Sequence, residues 1–240
     1  MSKYWQTPTY SQLSVEELRQ KAEESAKKAE SKGRHMEPVI VEGRAIAKSW
    51  WGQAWCNNLE RYADYGSRLD RGKRYVRIGS VIDLRISSGK INARVQGRRK
   101  SPYKVEIRIS PLKEASCQEI MESCANQIEN LEALAAGDFP QELQTLFTKE
   151  HGLFPSPQEI SFHCSCPDWA IMCKHVAAVL YGIGHRLDEN PFLFFTLRGI
   201  DISKFIDITV GNKVDMMLEH ADEDSPRILD DSTVHDLFGL

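Results

Sequence analysis

Between residues 76 and 109 the apolar side chains recur at every second position, the period of a half-buried strand. Val76, Ile78, Ile82, Leu84 and Ile86 alternate with Arg77, Asp83 and Arg85, and Ser87-Ser-Gly-Lys supplies a turn. Ile91, Ala93 and Val95 then alternate with Asn92, Arg94 and Gln96. After the basic loop Gly97-Arg-Arg-Lys-Ser-Pro, Val105, Ile107 and Ile109 alternate with Lys104, Glu106 and Arg108. Short connections predict a three-stranded antiparallel meander with one dry and one wet face. Upstream the period changes. Trp51, Trp55, Leu59 and Tyr62 stand at helical spacing, so residues 49–63 read as a helix whose aromatic face covers the sheet.

The remaining pattern is helical. Ser14 and Glu17 form a capping box for a Glu/Lys/Ala-rich helix through residue 32, which reads as a solvated arm because few large apolar residues interrupt it. Residues 113–136 and 139–149 have helical patterns, and Phe192 to Leu197 reads as a short buried segment. Val176, Val179, Leu180, Ile183 and Leu187 form the apolar stripe of a further helix.

Just before that stripe, Cys164, Cys166, Cys173 and His175 read C-x-C, six residues, C-x-H. Alternate residues of a strand share a side, so Cys164 and Cys166 can pinch one metal if the chain bends at Pro167-Asp168. Residues two apart inside a helix diverge, which places Cys173 just before a helix and His175 in its first turn. Three thiols and an imidazole suit one tetrahedral Zn2+, and four protein ligands leave no position for reactive water, so the metal is structural. His163 falls on the opposite strand face from Cys164. The competing readings are buried small hydrophobes and a thiol-redox pair at C-x-C, the latter disfavoured because His175 completes a metal set.

The ligand pattern resembles the SWIM zinc finger, in which C-x-C, a variable spacer and C-x-H join a strand pair to a helix. Trp50-Trp-Gly-Gln-Ala-Trp-Cys-Asn-Asn-Leu-Glu, Arg68-Leu-Asp-Arg-Gly-Lys-Arg-Tyr-Val-Arg and Tyr103-Lys-Val-Glu-Ile extend the likeness to prokaryotic SWIM proteins associated with SWI/SNF-class helicases. This resemblance implies contacts with DNA or with proteins, and a motor ATPase as partner. The expected fold is α+β: a helical arm at 1–38, a basic helix-plus-sheet domain at 39–112, a helical linker at 113–158, the SWIM zinc finger module at 159–200 and an acidic tail at 201–240.

Charge refines this picture. The net charge of −3 is an average. Residues 41–110 hold 16 Lys or Arg against 6 Asp or Glu, whereas residues 201–240 hold 3 against 10. Local charge governs association with polyanions, so a nucleic-acid site is the favoured expectation despite the acidic total. Its candidate residues are Arg77, Arg85, Arg94, Arg98, Lys104 and Arg108 on the outer sheet face, flanked by Arg68, Arg71, Lys73, Arg74, Arg99 and Lys100. Tyr62, Tyr65, Tyr75 and Tyr103 lie among them as candidate stacking surfaces. The rival expectation is an adaptor whose zinc module and Arg-rich face bind an acidic partner protein. The acidic tail could instead lie on the basic face as a mask, anchored by Leu237, Phe238 and Leu240.

No catalytic constellation is apparent. Gly66 to Arg74 has five residues between its glycines and Arg74 where a phosphate-binding loop needs Ser or Thr. A non-enzymatic protein is expected, with no small-molecule substrate. No basic leader followed by an apolar run opens the chain, and no stretch is long enough to span a membrane, so a cytoplasmic protein is expected. Cys56, Cys117 and Cys124 are then reduced core residues on helices.

Overall fold

The computed structural model describes residues 13–127, 143–149 and 151–219. Helices α1 (Val15–Glu30), α2 (Trp50–Asn58) and α3 (Gly66–Arg77) precede strands β1 (Val81–Ser87), β2 (Lys90–Val95) and β3 (Tyr103–Ile109). There follow α4 (Glu114–Gln127), α5 (Gln144–Thr148), β4 (Ile160–Cys164), α6 (Lys174–Glu189), α7 (Leu193–Leu197) and α8 (Ile202–Glu219). The sheet has four strands where three were expected, in the order β1-β2-β3-β4, with every pair antiparallel. The added strand is β4, expected in the zinc module but not as a member of this sheet, because its pairing with β3 joins segments about fifty residues apart that no local pattern connects.

One face of the sheet carries Leu84, Ala93, Val105 and Ile107, all buried. The helix across that face is α6, not the tryptophan helix that the sequence suggested. Its residues from His175 to Gly184 are buried without exception, so it is apolar all round instead of bearing one stripe. The far side of α6 receives α2 and α3. Trp55 Nε1 donates to the Leu180 carbonyl at 2.9 Å and Trp51 Nε1 to that of Leu187 at 3.0 Å, so both indoles bury their polar edge satisfied. At the N-terminus of α2, Asp188 accepts from the backbone of Lys48 and Ser49 and from the Ser49 hydroxyl. Residues of the sheet, α2, α3 and α6 thus belong to one hydrophobic cluster.

Helix α3 is a departure from the strand pattern, since Val76 lies in the last turn of a helix and Ile78 caps it. Leu69, Gly72, Tyr75 and Val76 form its buried side. Gly72 is where α3 meets α6: a Cβ there would lie 2.5 Å from Ala177 Cβ and 2.9 Å from the Ala177 carbonyl carbon. The helix also disposes of the phosphate-loop comparison, because the segment is not a loop at all.

The capping box of α1 is present, with Glu17 N–H donating to Ser14 Oγ and Ser14 N–H to Glu17 Oε2. Yet α1 is not a free arm. Ala22 packs with Met36 and Ile82, and Ser25 Oγ donates to Gln96 Oε1 at 2.7 Å, holding the helix against the sheet. Beyond Asp201, where a tail was expected, α8 packs on α4 and buries Phe205, which stacks on Phe195 of α7 with ring centroids 4.9 Å apart, and Thr209. The acidic residues after 219 and the proposed anchor Leu237, Phe238 and Leu240 lie outside the described residues, as do 128–142 of the expected linker helices.

Arg198, wholly buried, clips the sheet where β3 ends and β4 begins. It donates to the Ser110 carbonyl at 2.8 Å and to Glu159 Oε1 at 2.7 Å. Burial pushes the Glu159 carboxyl up, but the Ser156 N–H and the Arg198 guanidinium outweigh it and hold the group at about 2. A carboxylate depressed in the folded state stabilises fully above its unfolded value and loses that contribution as pH falls through the folded one. Unfolding measured against pH should therefore lose stability from about pH 4.5 towards 2. Glu159→Gln should flatten that limb and cost about 3 kcal/mol at neutral pH, because it strands a buried guanidinium.

Gly72→Ala should be net destabilising by about 1 kcal/mol or more, although alanine favours a helix by about that amount, because backbone atoms of α6 cannot yield. Ala177→Gly in the same chain should restore part of the loss in urea unfolding.

Candidate metal centre and the cationic surface around it

Strand β4 sets the first ligand pair. Its register places Cys164 opposite Val105 and His163 opposite Glu106, so His163 points to the outer face and Cys164 to the inner one, as the alternation required. Ser165 locks the end of the strand: its N–H donates to the Lys104 carbonyl and its Oγ accepts from Lys104 N–H, both at 3.0 Å. The loop then turns at Pro167-Asp168. Asp168 Oδ1 accepts from Ala170 N–H at 3.3 Å and from Arg68 Nη2 at 3.2 Å. The Asp64 carboxylate accepts from Ile171 N–H at 2.9 Å and Met172 N–H at 3.4 Å. Cys173 is the N-cap of α6 and His175 lies in its first turn.

The four ligand atoms lie within 4.8 Å of one another, and His175 Nδ1 is 3.9 Å from the sulfurs of both Cys164 and Cys173. Zinc with bonds of ~2.0–2.3 Å spaces its tetrahedral ligands by roughly 3.5–3.8 Å, so a small contraction closes the set. Its aromatic surroundings hold the imidazole. Tyr103 stacks on the ring with centroids 4.1 Å apart, and Tyr75 meets it edge-on at 5.6 Å. Nε2 is buried with no hydrogen-bond partner among the described residues. Gly97 leaves space there, since a Cβ would come within 2.7 Å of Tyr103 Cε2 and 3.3 Å of Nε2.

The donor chemistry also suits a metal. The Cys164 thiol donates to Cys173 and lowers the latter, while that same proton sharing and burial push Cys164 up. Burial and the neighbouring sulfur raise Cys166. Three clustered thiols cannot all ionise on their own, and a divalent cation removes that conflict. Bound zinc would supply a cross-link between the end of β4 and the start of α6. The other cysteines lack such a setting: burial pushes Cys56 and Cys124 up to about 12 and raises Cys117.

The twelve cationic candidates do not form one face. Arg85, Arg94, Lys104 and Arg108 do lie on the outer side of the sheet, but cross-strand register sets acids among them. Asp83 pairs with Arg85 at 3.2 Å and Arg94 at 3.8 Å, and Glu106 with Arg108 at 2.7 Å and Lys90 at 3.2 Å. Asp83, Arg85, Arg94, Lys104 and Glu106, with Asn92 and His163, line a groove of about 720 Å³ of mixed charge. Arg77 is not on this face. It belongs to α3 with Arg68, Arg71, Lys73 and Arg74, on the opposite side of the sheet.

A second group surrounds the metal centre. Arg71, Arg74 and Arg98 are exposed and have no ion-pair partner among the described residues. Lys174 sits over the Tyr75 ring at 5.3 Å, and burial with repulsion from Arg98 and Arg71 pushes its ammonium down. Arg99 lies over the Tyr103 ring at 5.1 Å, and Lys73 over that of Tyr181 at 5.6 Å. Lys100 is exposed in the same β2–β3 loop as Arg98. Of the four candidate stacking tyrosines, Tyr62, Tyr75 and Tyr103 are buried in structural roles, and Tyr65 alone is exposed.

Sequence reasoning passed over Lys174, Asp64 and Trp169. Lys174 could have been found from its place between two ligands at a helix start. The backbone-gripping role of Asp64 had no local signal, because its partners are 107 and 108 residues away.

Residues 163–182 match the SWIM zinc finger family, and Cys164, Cys166, Cys173 and His175 stand positioned to bind one zinc ion. The chain is 36% identical over 157 residues to the uncharacterized protein Rv2102 of Mycobacterium tuberculosis. That similarity covers 65% of this chain and 56% of the relative, so the chain spans little more than half of the relative's length. No solved structure matches. No helix among the described residues is long and apolar enough to cross a membrane.

Elemental analysis of the purified chain should find one zinc, and Cys166→Ser should lose it. Chelation should lower the melting temperature of the whole cooperative unit, since α6 is central to the core; an unchanged melting temperature would contradict a structural metal. Affinity should fall as pH falls, because the thiols must shed protons to bind.

Proposed function

We propose that this chain is a non-enzymatic, zinc-stapled nucleic-acid-binding protein, with DNA as the expected ligand. One observation carries the reading: exposed Arg71, Arg74 and Arg98 gather beside the metal centre with no ion pair among the described residues, while on the sheet face Arg85 and Arg94 share Asp83, and Lys90 and Arg108 share Glu106. Unmatched guanidinium groups held on a helix and an adjoining loop suit phosphate oxygens, which they grip bidentately. The zinc positions this surface and does no chemistry. Following the resemblance to prokaryotic SWIM proteins, we extend the proposal to an accessory role beside a SWI/SNF-class ATPase.

The mixed-charge groove on the outer sheet face favours a second reading, a protein adaptor without nucleic-acid contact. Salt-titrated binding separates the two. Nucleic-acid affinity should fall steeply with salt, and Arg71, Arg74 and Arg98 changed together to Gln should make the log–log slope shallower by roughly 2–3. The same change at Arg85, Arg94 and Arg108 should alter it little. Absence of binding to any oligonucleotide at low salt would leave the adaptor reading.

A further inference from the structure

The loop between the two ligand pairs presents an apolar surface that the fold does not use. Trp169 is 78% exposed and Ile171 72% exposed, and Tyr65, at 45%, meets Trp169 edge-on with ring centroids 5.6 Å apart. Scattered exposed apolar residues are ordinary, but these three are adjacent and their backbone is held from beneath. Asp168 is fixed by Arg68 and by Ala170 N–H, and Ile171 and Met172 by the Asp64 carboxylate. The indole therefore projects from a loop anchored on both sides of it, and little ordering entropy remains to be lost when a ligand meets it.

What meets it is indicated by the neighbouring charge. Tyr65 is the N-cap of α3, and Arg68 pairs with Asp168, the residue before Trp169. Arg71 and Arg74 follow Arg68 at three and six residues, so the three step round the helix by about 60° each over a rise of roughly 9 Å. Arg71 and Arg98 both lie close enough to repel Lys174, and with Arg74 they surround Tyr75. An aromatic plate at one end of an unneutralised cationic track matches a polyanion that also exposes flat rings. Duplex bases are stacked on one another and offer no free face to an indole, whereas single-stranded bases do.

We infer that Trp169, with Tyr65 beside it, is a stacking platform for a base of single-stranded nucleic acid whose phosphates run along Arg71, Arg74 and Arg98. This rests on the nucleic-acid reading above and adds the strandedness and the contact residue. The indole is outside the hydrophobic core, so Trp169→Ala should leave zinc content and melting temperature unchanged.

Binding of single-stranded DNA and RNA oligonucleotides and of a duplex should be measured at fixed low salt for the parent chain, Trp169→Ala and Trp169→Phe. The alanine variant should bind single strands about ten-fold or more weakly with an unchanged salt slope, should lose any preference for single strands over duplex, and should be largely rescued by phenylalanine. Equal binding of single strands by parent and alanine variant would overturn the stacking role while leaving the phosphate site standing. Failure of the parent chain to bind any of the three ligands would overturn both. Tighter binding of an acidic peptide than of the oligonucleotides, lost in the alanine variant, would assign the surface to a protein and sink the inference.

Discussion

Helix α6 cannot exist in water as it is built. From His175 to Gly184 every side is buried, so it needs apolar cover all round, with the sheet on one side and α2 and α3 on the other. Small residues make the enclosure tight: Gly72 of α3 sits against Ala177, and a Cβ on Gly184 would come within 2.8 Å of Cys56 Sγ. The strands, the tryptophan helix and the basic helix are therefore arranged by what this one element demands. The metal ligands at its N-terminus tie that element to the end of β4, which makes the zinc finger part of the core of the molecule and not an appendage to it.

Much of this was readable before folding was considered. The ligand spacing, the capping box of α1 and the alternation of β2 and β3 are local signals with local causes, and each has its expected form. The failures share a different origin. Helix α3 contains two glycines and five basic residues, and Val76 and Ile78 complete an alternation with Ile82, so a strand was the better local reading. The helix forms because Leu69, Gly72 and Val76 fit against α6, a tertiary cause that overrides local preference. Its apolar spacing of three and four was the signal that could have shown it.

The partition of charge was also illegible, for a geometric reason. A count along residues 41–110 assigns all cations to one basic region, but register and helix phase decide which of them share a surface. Antiparallel pairing of β1 with β2 sets Arg94 opposite Asp83, and pairing of β2 with β3 sets Lys90 opposite Arg108, with Glu106 reaching both. The sheet-face cations other than Lys104 are held in ion pairs in consequence. The positive surplus moves to α3 and the β2–β3 loop, beside a loop whose exposed tryptophan no charge count could have brought to notice.

The two halves of the metal centre differ in their access to solvent. Cys164 and Cys166 are half-buried at the end of an edge strand, while Cys173 and His175 are buried within the core-forming helix. Exchange of the ion is consequently a directional process. An incoming chelator or a competing metal would meet the more accessible C-x-C sulfurs before the buried C-x-H pair. The lifetime of a bound metal would then depend on how firmly the Ser165–Lys104 hydrogen bonds hold one strand end, while its equilibrium affinity would draw on the whole core.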